Sequence, residues 1–267
     1  MTSLQLFPKN SRLLTSSPAR INRCDSRFHS PSSIRYPRRM NCIVTAGPTY
    51  EPLDDVRRLT NFSTGRLGTE LANFLASRGH KVILLIGTMA THGGERRAQR
   101  VETFTTAVDL REKLKAVSSK KVDAIFHAAA VGDFAFGRIF TPNESGKLAE
   151  IKAVNKIPTR QGKLLVELVA TPKIIAELRG WYPRTRITGW KFEADGARAD
   201  AISAARRQIA ECSTDLCIAN GPAYGEGFGW VARDGRVAHL SSAPLLFEGL
   251  DKFLQPQRAT PTFKSRS

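Results

Sequence analysis

The chain has 267 residues, 41% of them hydrophobic and 8% aromatic, and a formal charge of +17 at pH 7. That length suffices for one large α/β domain, or two small ones, with a sizeable buried core. No apolar run reaches the roughly 18 residues that a membrane-spanning helix needs, so the sequence reads as soluble.

The charge is unevenly spread. Residues 1–39 carry eight Lys/Arg (Lys9, Arg12, Arg20, Arg23, Arg27, Arg35, Arg38, Arg39) against Asp25 alone, and the tail after Leu254 adds Arg258, Lys264 and Arg266 without an acid. Setting aside the +7 of the extension and the +3 of the tail, the body keeps +7, an excess suited to anionic small molecules as much as to a polyanion. Residues 1–39 are rich in Ser, Arg and Pro and lack hydrophobic periodicity, so disorder is expected there, as it is for 256–267. Their composition is similar to an organellar transit peptide. Met40 directly precedes the first strand, and a disordered tail or a start assigned too far upstream accounts for the same residues. The expected compartment is therefore the cytoplasm, or an organelle if the extension is a transit peptide. Cys24, Cys42, Cys212 and Cys217 have neither metal-ligand spacing nor a paired framework, which reads as reduced thiols.

From residue 41 the pattern becomes regular. NCIVTAG (41–47) predicts a buried strand, GTELANFLASRG (68–79) a helix and HKVILLIGT (80–88) a second strand. AVDLREKLKAV (107–117) predicts a helix, and VDAIFHAAAV (122–131) a strand ending in small residues. Residues 132–163 read as irregular and polar, after which LLVELVA (164–170) returns to strand character. TPKIIAELRG (171–180) predicts a helix with Thr171 as N-cap and Pro172 in the first turn. TRITGWKFE (185–193), ADAISAARRQIAEC (199–212) and TDLCIANG (214–221) continue as strand, helix and strand. WVARDGRVAHL (230–240) predicts a hairpin around Asp234-Gly235, and APLLFEGLDKFLQ (243–255) a closing helix. The alternation implies one α/β domain over 40–255, with a doubly wound, mostly parallel Rossmann-like sheet and a C-terminal β-hairpin.

In such sheets ligands bind beyond the carboxyl ends of the strands. The loop Gly47–Gly68 lies there and ends in Asn61-Phe62-Ser63-Thr64-Gly65 at a helix start, although no G-x-G-x-x-G is present. Ser63 and Thr64 can cap the helix, and the free amides of its first turn can receive an anion. Plain capping, an Asn61 turn and solvated Arg57, Arg58 and Arg66 explain the same residues. A second cluster, His127 to Asp133, emerges at the same edge, where Asp133 can serve a ribose hydroxyl, a metal or a turn. Lys152 and Lys156 lie on the long polar segment 132–162, from which a lysine can reach phosphate oxygens as a point charge.

The string TAGPTYEPLDDVRRLTNFSTGRLG (45–68) resembles the start of the phosphopantothenate–cysteine ligase family. The similarity continues through AAAVGDF (128–134), NKIP (155–158), VATPKII (169–175), GWKFEA (189–194) and CIANG (217–221), in the family's order over about residues 40–250. The resemblance implies a modified Rossmann-like fold, usually homodimeric. It also implies a two-step reaction: the 4′-phosphopantothenate carboxylate is activated by a nucleoside triphosphate, CTP or ATP with Mg²⁺, as an acyl-nucleotidylate, and cysteine then displaces the nucleotide to form an amide.

Carried over by position, Asn61 and Lys156 are implied as catalytic. Gly47, Ser63, Gly65, Ala128, Ala129, Asp133, Val169, Thr171, Pro172 and Trp190 are implied at the nucleotide, and Thr64 and Arg66 beside Asn61 at the substrate. Trp190 stands where the family often has phenylalanine. The loop reads Lys156-Ile157-Pro158-Thr159 instead of K-I-K-K, and Ala219-Asn220-Gly221-Pro222 replaces A-N-D-V, which leaves the nucleotide base open. Arg206 and Arg207 only approximately match the late basic residues. A 39-residue extension is too short for a flavin-binding decarboxylase domain, so a separate decarboxylase chain is the expected pathway partner, with neither nucleic acid nor membrane as a ligand. Competing readings are a ligase-like protein with an altered substrate, a nucleic-acid binder, and a nucleotide-binding oxidoreductase, which would want the missing G-x-G-x-x-G and a Tyr-x-x-x-Lys pair.

Overall fold

The computed structural model describes residues 38–255 apart from 119, 144, 152–154, 159 and 161. The expectations for residues 1–37, for the tail 256–267 and for Lys152 lie outside the described residues.

Six strands form the parallel body of one sheet: β1 (Asn41–Ala46), β4 (Lys81–Gly87), β5 (Arg100–Phe104), β6 (Ala124–His127), β10 (Arg186–Phe192) and β11 (Leu216–Asn220). The antiparallel strands β12 (Phe228–Ala232) and β13 (Val237–Leu240) extend it to the order β13-β12-β11-β10-β6-β1-β4-β5. The expected fold class is thus borne out, hairpin included. Both faces are covered, which is why the central strands read as continuous apolar runs. Cys42, Val44 and Ala46 face α1 (Arg66–Ser77) and α5 (Ala243–Leu254), packing with Leu71, Leu75, Leu246 and Leu250. Ile43, Ile125 and Ile187 face α2 (Ala107–Val117) and α3 (Ile174–Trp181) through Leu110, Leu114, Ile174 and Leu178. The helix α4 (Arg198–Cys212) covers Cys217 and Ala219 on β11 with Ala201, Ala205 and Ile209. Burial pushes the thiols of Cys42 and Cys217 up to about 12, so both remain protonated packing groups. Among the described residues no helix is long and apolar enough to cross a membrane.

Three parts of the sequence reading change. The segment expected to be irregular carries β7 (Phe134–Pro142) and β8 (Leu148–Ile151). These pair antiparallel with each other and with β9 (Leu165–Ala170) in a separate three-stranded sheet, so LLVELVA is no member of the parallel body. Most of these residues are exposed or half-buried, and without a buried face they carry no strong periodicity. The helix α3 starts at Ile174 with Lys173 as N-cap and no side-chain cap; Thr171 serves tertiary contacts instead. The loop after β1 contains a short antiparallel hairpin, β2 (Tyr50–Pro52) with β3 (Arg58–Thr60), whose three-residue strands carry too little pattern to be read from sequence.

Candidate functional site

The strand order reverses between β1 and β6, with β4 and β5 on one side and β10 and β11 on the other. Both strands end at the same edge, and a ligand crevice forms at such a switch point. Gly47 directly follows β1 with φ of 76°, and Gly65 has the same φ. A Cβ on Gly65 would lie 3.0 Å from Ala90 Cβ and 3.2 Å from Gly47 N and Cα, so the two glycines let the α1 turn settle against the end of β1. The helix itself sits equally close: a Cβ on Gly68 would meet Ala46 Cβ at 2.7 Å.

The polar loop is held to its surroundings by its own side chains. Glu51, 7% exposed, accepts the Ala107 amide at 2.8 Å and so serves the start of α2. Thr49 Oγ1 accepts from Gly132 N at 2.8 Å, and Thr60 Oγ1 donates to the Thr49 carbonyl at 2.8 Å. Backbone bonds from Thr49 N to Ala130 O and from Ala130 N to Gly47 O complete the join to the end of β6. Asn61 Nδ2 donates to the carbonyls of Ala130 and Val131 at 3.3 and 3.1 Å. The glycine-and-hydroxyl turn is thereby stitched to the alanine-rich strand end.

Amide hydrogens on the two sides of this crevice are used differently. On the β6 side most are taken: Ala129 N donates to Thr45 Oγ1 at 3.0 Å, and Ala130 and Gly132 donate as above, while Val131 N–H finds no acceptor among the described residues. On the α1 side, Thr64, Gly65 and Leu67 N–H find no acceptor among the described residues, and the first turn contains no acid. Free amides at a helix start favour an anion. The N-cap is Gly65 in the left-handed conformation, without a side-chain cap; Thr64 Oγ1 accepts only the Arg66 amide, at 3.3 Å, and Ser63 does not cap, which corrects the capping expectation. Arg66 is engaged with Glu70 in an exposed pair at 2.7 Å. Beneath the crevice, Thr45 Oγ1 also lies 3.0 Å from Nδ1 of buried His127, whose pKa burial pushes down to about 4, so the imidazole is neutral near pH 7.

The remaining candidates surround this edge. Asp133 is exposed, its carbonyl accepting the Thr171 amide at 3.0 Å, while Thr171 Oγ1 donates to the Gly132 carbonyl at 2.5 Å. This ties the foot of the three-stranded sheet, where Val169 and Pro172 are exposed, to the end of β6. Trp190 on β10 packs against the α1 face with its Nε1 buried and without an acceptor among the described residues; Asn220 Oδ1 at the end of β11 is likewise unpartnered. Lys156 is exposed, beside buried Ile157. The sequence reading missed Thr45, Thr49, Glu51 and Asp54, because each acts on a partner distant in the chain. A second concavity, of about 770 Å³, is lined by Arg38, Lys120, Lys121, Arg184 and Arg186. It opens at the amino ends of the strands, where basic residues suit the carboxyl ends of α2 and α3.

Residues 38–243 match the sequence family described as DNA/pantothenate metabolism flavoprotein, C-terminal domain. The chain belongs to this family. Among its relatives, the coenzyme A biosynthesis bifunctional protein CoaBC of Thermococcus kodakarensis is 34% identical over 182 residues, covering 67% of this chain and 40% of its own. The protein of the same name from Bacillus subtilis is 31% identical over 188 residues, covering 70% of this chain and 42% of its own. The chain therefore spans about two fifths of the length of these relatives. The crystal structure of the DNA/pantothenate metabolism flavoprotein from Streptococcus pneumoniae has the same fold, with a TM-score of 0.68 at 24% identity over 80% of this chain and 99% of that one. Within the matched span, family membership takes in the α1 turn, the end of β6 and the three-stranded sheet together.

Proposed function

We propose that this protein is a phosphopantothenate–cysteine ligase of coenzyme A biosynthesis, with residues 40–255 as its catalytic unit. The observation that carries the reading is the Asn61 bridge, which sets a helix start with free amides against the end of β6. The family match and the coenzyme A biosynthesis relatives support it.

In the first step a carboxylate oxygen of 4′-phosphopantothenate attacks the α-phosphorus of CTP or ATP; the new P–O bond forms as the bond to pyrophosphate breaks. In the second, the cysteine amine attacks the acyl carbon, the nucleoside monophosphate leaves with the C–O bond electrons, and the amide nitrogen loses a proton. Two anions must be held close together, so positioning and charge stabilisation account for most of the rate. The amides at Gly65 and Leu67 receive phosphoryl oxygens, with Ser63 and Thr64 at the rim. Lys156 brings a mobile positive charge. Asn61 Nδ2 donates to the carbonyls of Ala130 and Val131 and so orients the turn; the same NH₂ group donates to an oxygen of the acyl-nucleotidylate in exchange for one of these carbonyls. Gly47, Ala128 and Ala129 line the nucleotide with backbone, with Asp133, Val169, Thr171, Pro172 and Trp190 around ribose and base, and Arg66 beside the substrate once it exchanges Glu70 for an anion.

Among the described residues no three His, Cys, Asp or Glu side chains converge. Mg²⁺ would enter with the triphosphate as its counter-ion, with exposed Asp133 as the carboxylate at this edge to face it, and would supply charge neutralisation on the transferring phosphoryl group. The active species is a homodimer. Purified protein is expected to release pyrophosphate only when phosphopantothenate, Mg²⁺ and a nucleoside triphosphate are all present, and then to form the amide when cysteine is added. Parallel assays with CTP and ATP identify the nucleotide; no turnover with either discards the reading.

A further inference from the structure

Asp54 sits in the turn between β2 and β3 with its side chain shielded from solvent. Its Oδ1 accepts the amides of Val56 and Arg57 at 3.1 and 2.8 Å, which suffices to fold the turn. Its Oδ2 does something the turn does not need. It accepts the Ile157 amide at 3.1 Å and pairs with the Arg57 guanidinium, which in turn donates to the Ile157 carbonyl at 2.9 Å. Carboxylate and guanidinium thus hold both polar backbone atoms of one residue about a hundred positions away. The Ile157 side chain is only 4% exposed, whereas Asn155, Lys156 and Pro158 are exposed. One anchored residue therefore lies directly beside the lysine assigned to the phosphates. A lysine stem swings widely from its Cα, and fixing the neighbouring peptide fixes the origin of that swing.

We propose that Asp54 is a positioning residue for Lys156: gripping Ile157 jointly with Arg57, it sets the lysine's reach toward phosphoryl oxygens at the α1 turn. The inference rests on the ligase reading above. The Arg57 guanidinium, with the amides of Ile157, Val56 and Arg57, holds the Asp54 carboxyl well below the usual carboxylate range, so the grip stays ionic throughout neutral pH.

Two measurements on the full-length protein separate this proposal from the ligase reading. Hydrogen exchange at the Ile157 amide, followed by mass spectrometry, reads the grip without any substrate. Pyrophosphate release reads turnover in the wild type, in Asp54→Asn, in Lys156→Gln and in the double variant. Asp54→Asn keeps an acceptor for the turn but points an NH₂ at the Ile157 amide; Asp54→Ser, which retains a turn-forming hydroxyl too short to reach Ile157, serves should the first fail to fold. Expected are about tenfold faster exchange at Ile157 with β1 amides unchanged, and a kcat about 10- to 100-fold lower with little change in KM for phosphopantothenate. The double variant is expected to be no slower than Lys156→Gln alone. Losses that multiply in the double variant, or unaltered exchange at Ile157, overturn the proposal. A wild type that releases no pyrophosphate sinks the ligase reading and the role of Lys156 with it, while exchange still reports whether the grip exists.

Discussion

The eight-stranded sheet and the three-stranded sheet are built on opposite principles. In the first, β1, β6 and β11 are buried almost end to end, and what they hold in place is backbone: a glycine turn, a helix start, a row of small residues. In the second, β8 and β9 are mostly exposed, Ile139 is the one fully buried residue of the three strands, and attachment depends on polar contacts such as Thr171 to Gly132. The difference teaches a division of labour. A packed core gives a site its fixed geometry, and a lightly packed arm secured at a few polar points gives it reach.

The contrast can be broken most directly through stability. Phe126→Ala in the central sheet removes a fully buried ring and is expected to cost about 3–5 kcal/mol, whereas Leu168→Ala, at a position 50% exposed on β9, should stay within about 0.5 kcal/mol. Denaturant melts showing equal losses would erase the distinction. The floor of the crevice adds a pH signature. His127 titrates at about 4 in the fold against its ordinary value of 6.5, so between these values the unfolded chain binds a proton that the native state refuses. Stability is therefore full above about pH 6.5 and falls as pH drops toward 4, by about 3 kcal/mol in all, and His127→Gln should flatten this stretch of the profile.

Smaller effects probe the join between the two regions. Asn61→Asp would place a carboxylate against the carbonyls of Ala130 and Val131; it is expected to cost about 1–3 kcal/mol and to slow pyrophosphate release, whereas Asn61→Ser should be milder in both assays. Lys156→Gln should lower kcat about tenfold or more while shifting stability by less than about 0.5 kcal/mol, because an exposed lysine supports little packing; parallel losses in melting and rate would make it a structural residue. The smallest change is expected from Trp190→Phe. It removes a buried N–H that has no acceptor among the described residues, so the protein should be unchanged or more stable by up to about 1 kcal/mol, with any penalty confined to nucleotide KM.

How much of this was legible in the sequence follows the same division. Strands covered on both faces announce themselves as apolar runs, and α2 lies at the residues its 3.6-residue pattern marks, 107 to 117. The α1 turn was visible as a feature, yet its cap was misassigned, because a left-handed Gly65 does the work that Ser63 and Thr64 suggest. The Thr171-Pro172 pair looked like a helix start for the same local reasons, but Thr171 is claimed by Gly132 and Asp133 from another element. Glu51 and Asp54 carried no signal of their roles, since the groups they hold, Ala107 and Ile157, become neighbours only after the chain has folded.

One arrangement in the core bears on how the molecule is made. The closing helix α5 begins at Ala243, where the family match ends, yet Leu246, Phe247, Leu250 and Leu254 belong to the cluster that covers α1 and β1, with the Phe74 and Phe247 rings 5.8 Å apart. His80 fastens the two ends: its Nδ1 accepts the Met40 amide, and its Nε2–H donates to Asp251 Oδ1 at 2.7 Å. During synthesis, β1 and α1 therefore keep an oily flank bare until α5 emerges. A chain stopped at residue 243 is expected to collect in the insoluble fraction, and supplying residues 243–255 as a separate peptide is expected to return part of it to solution.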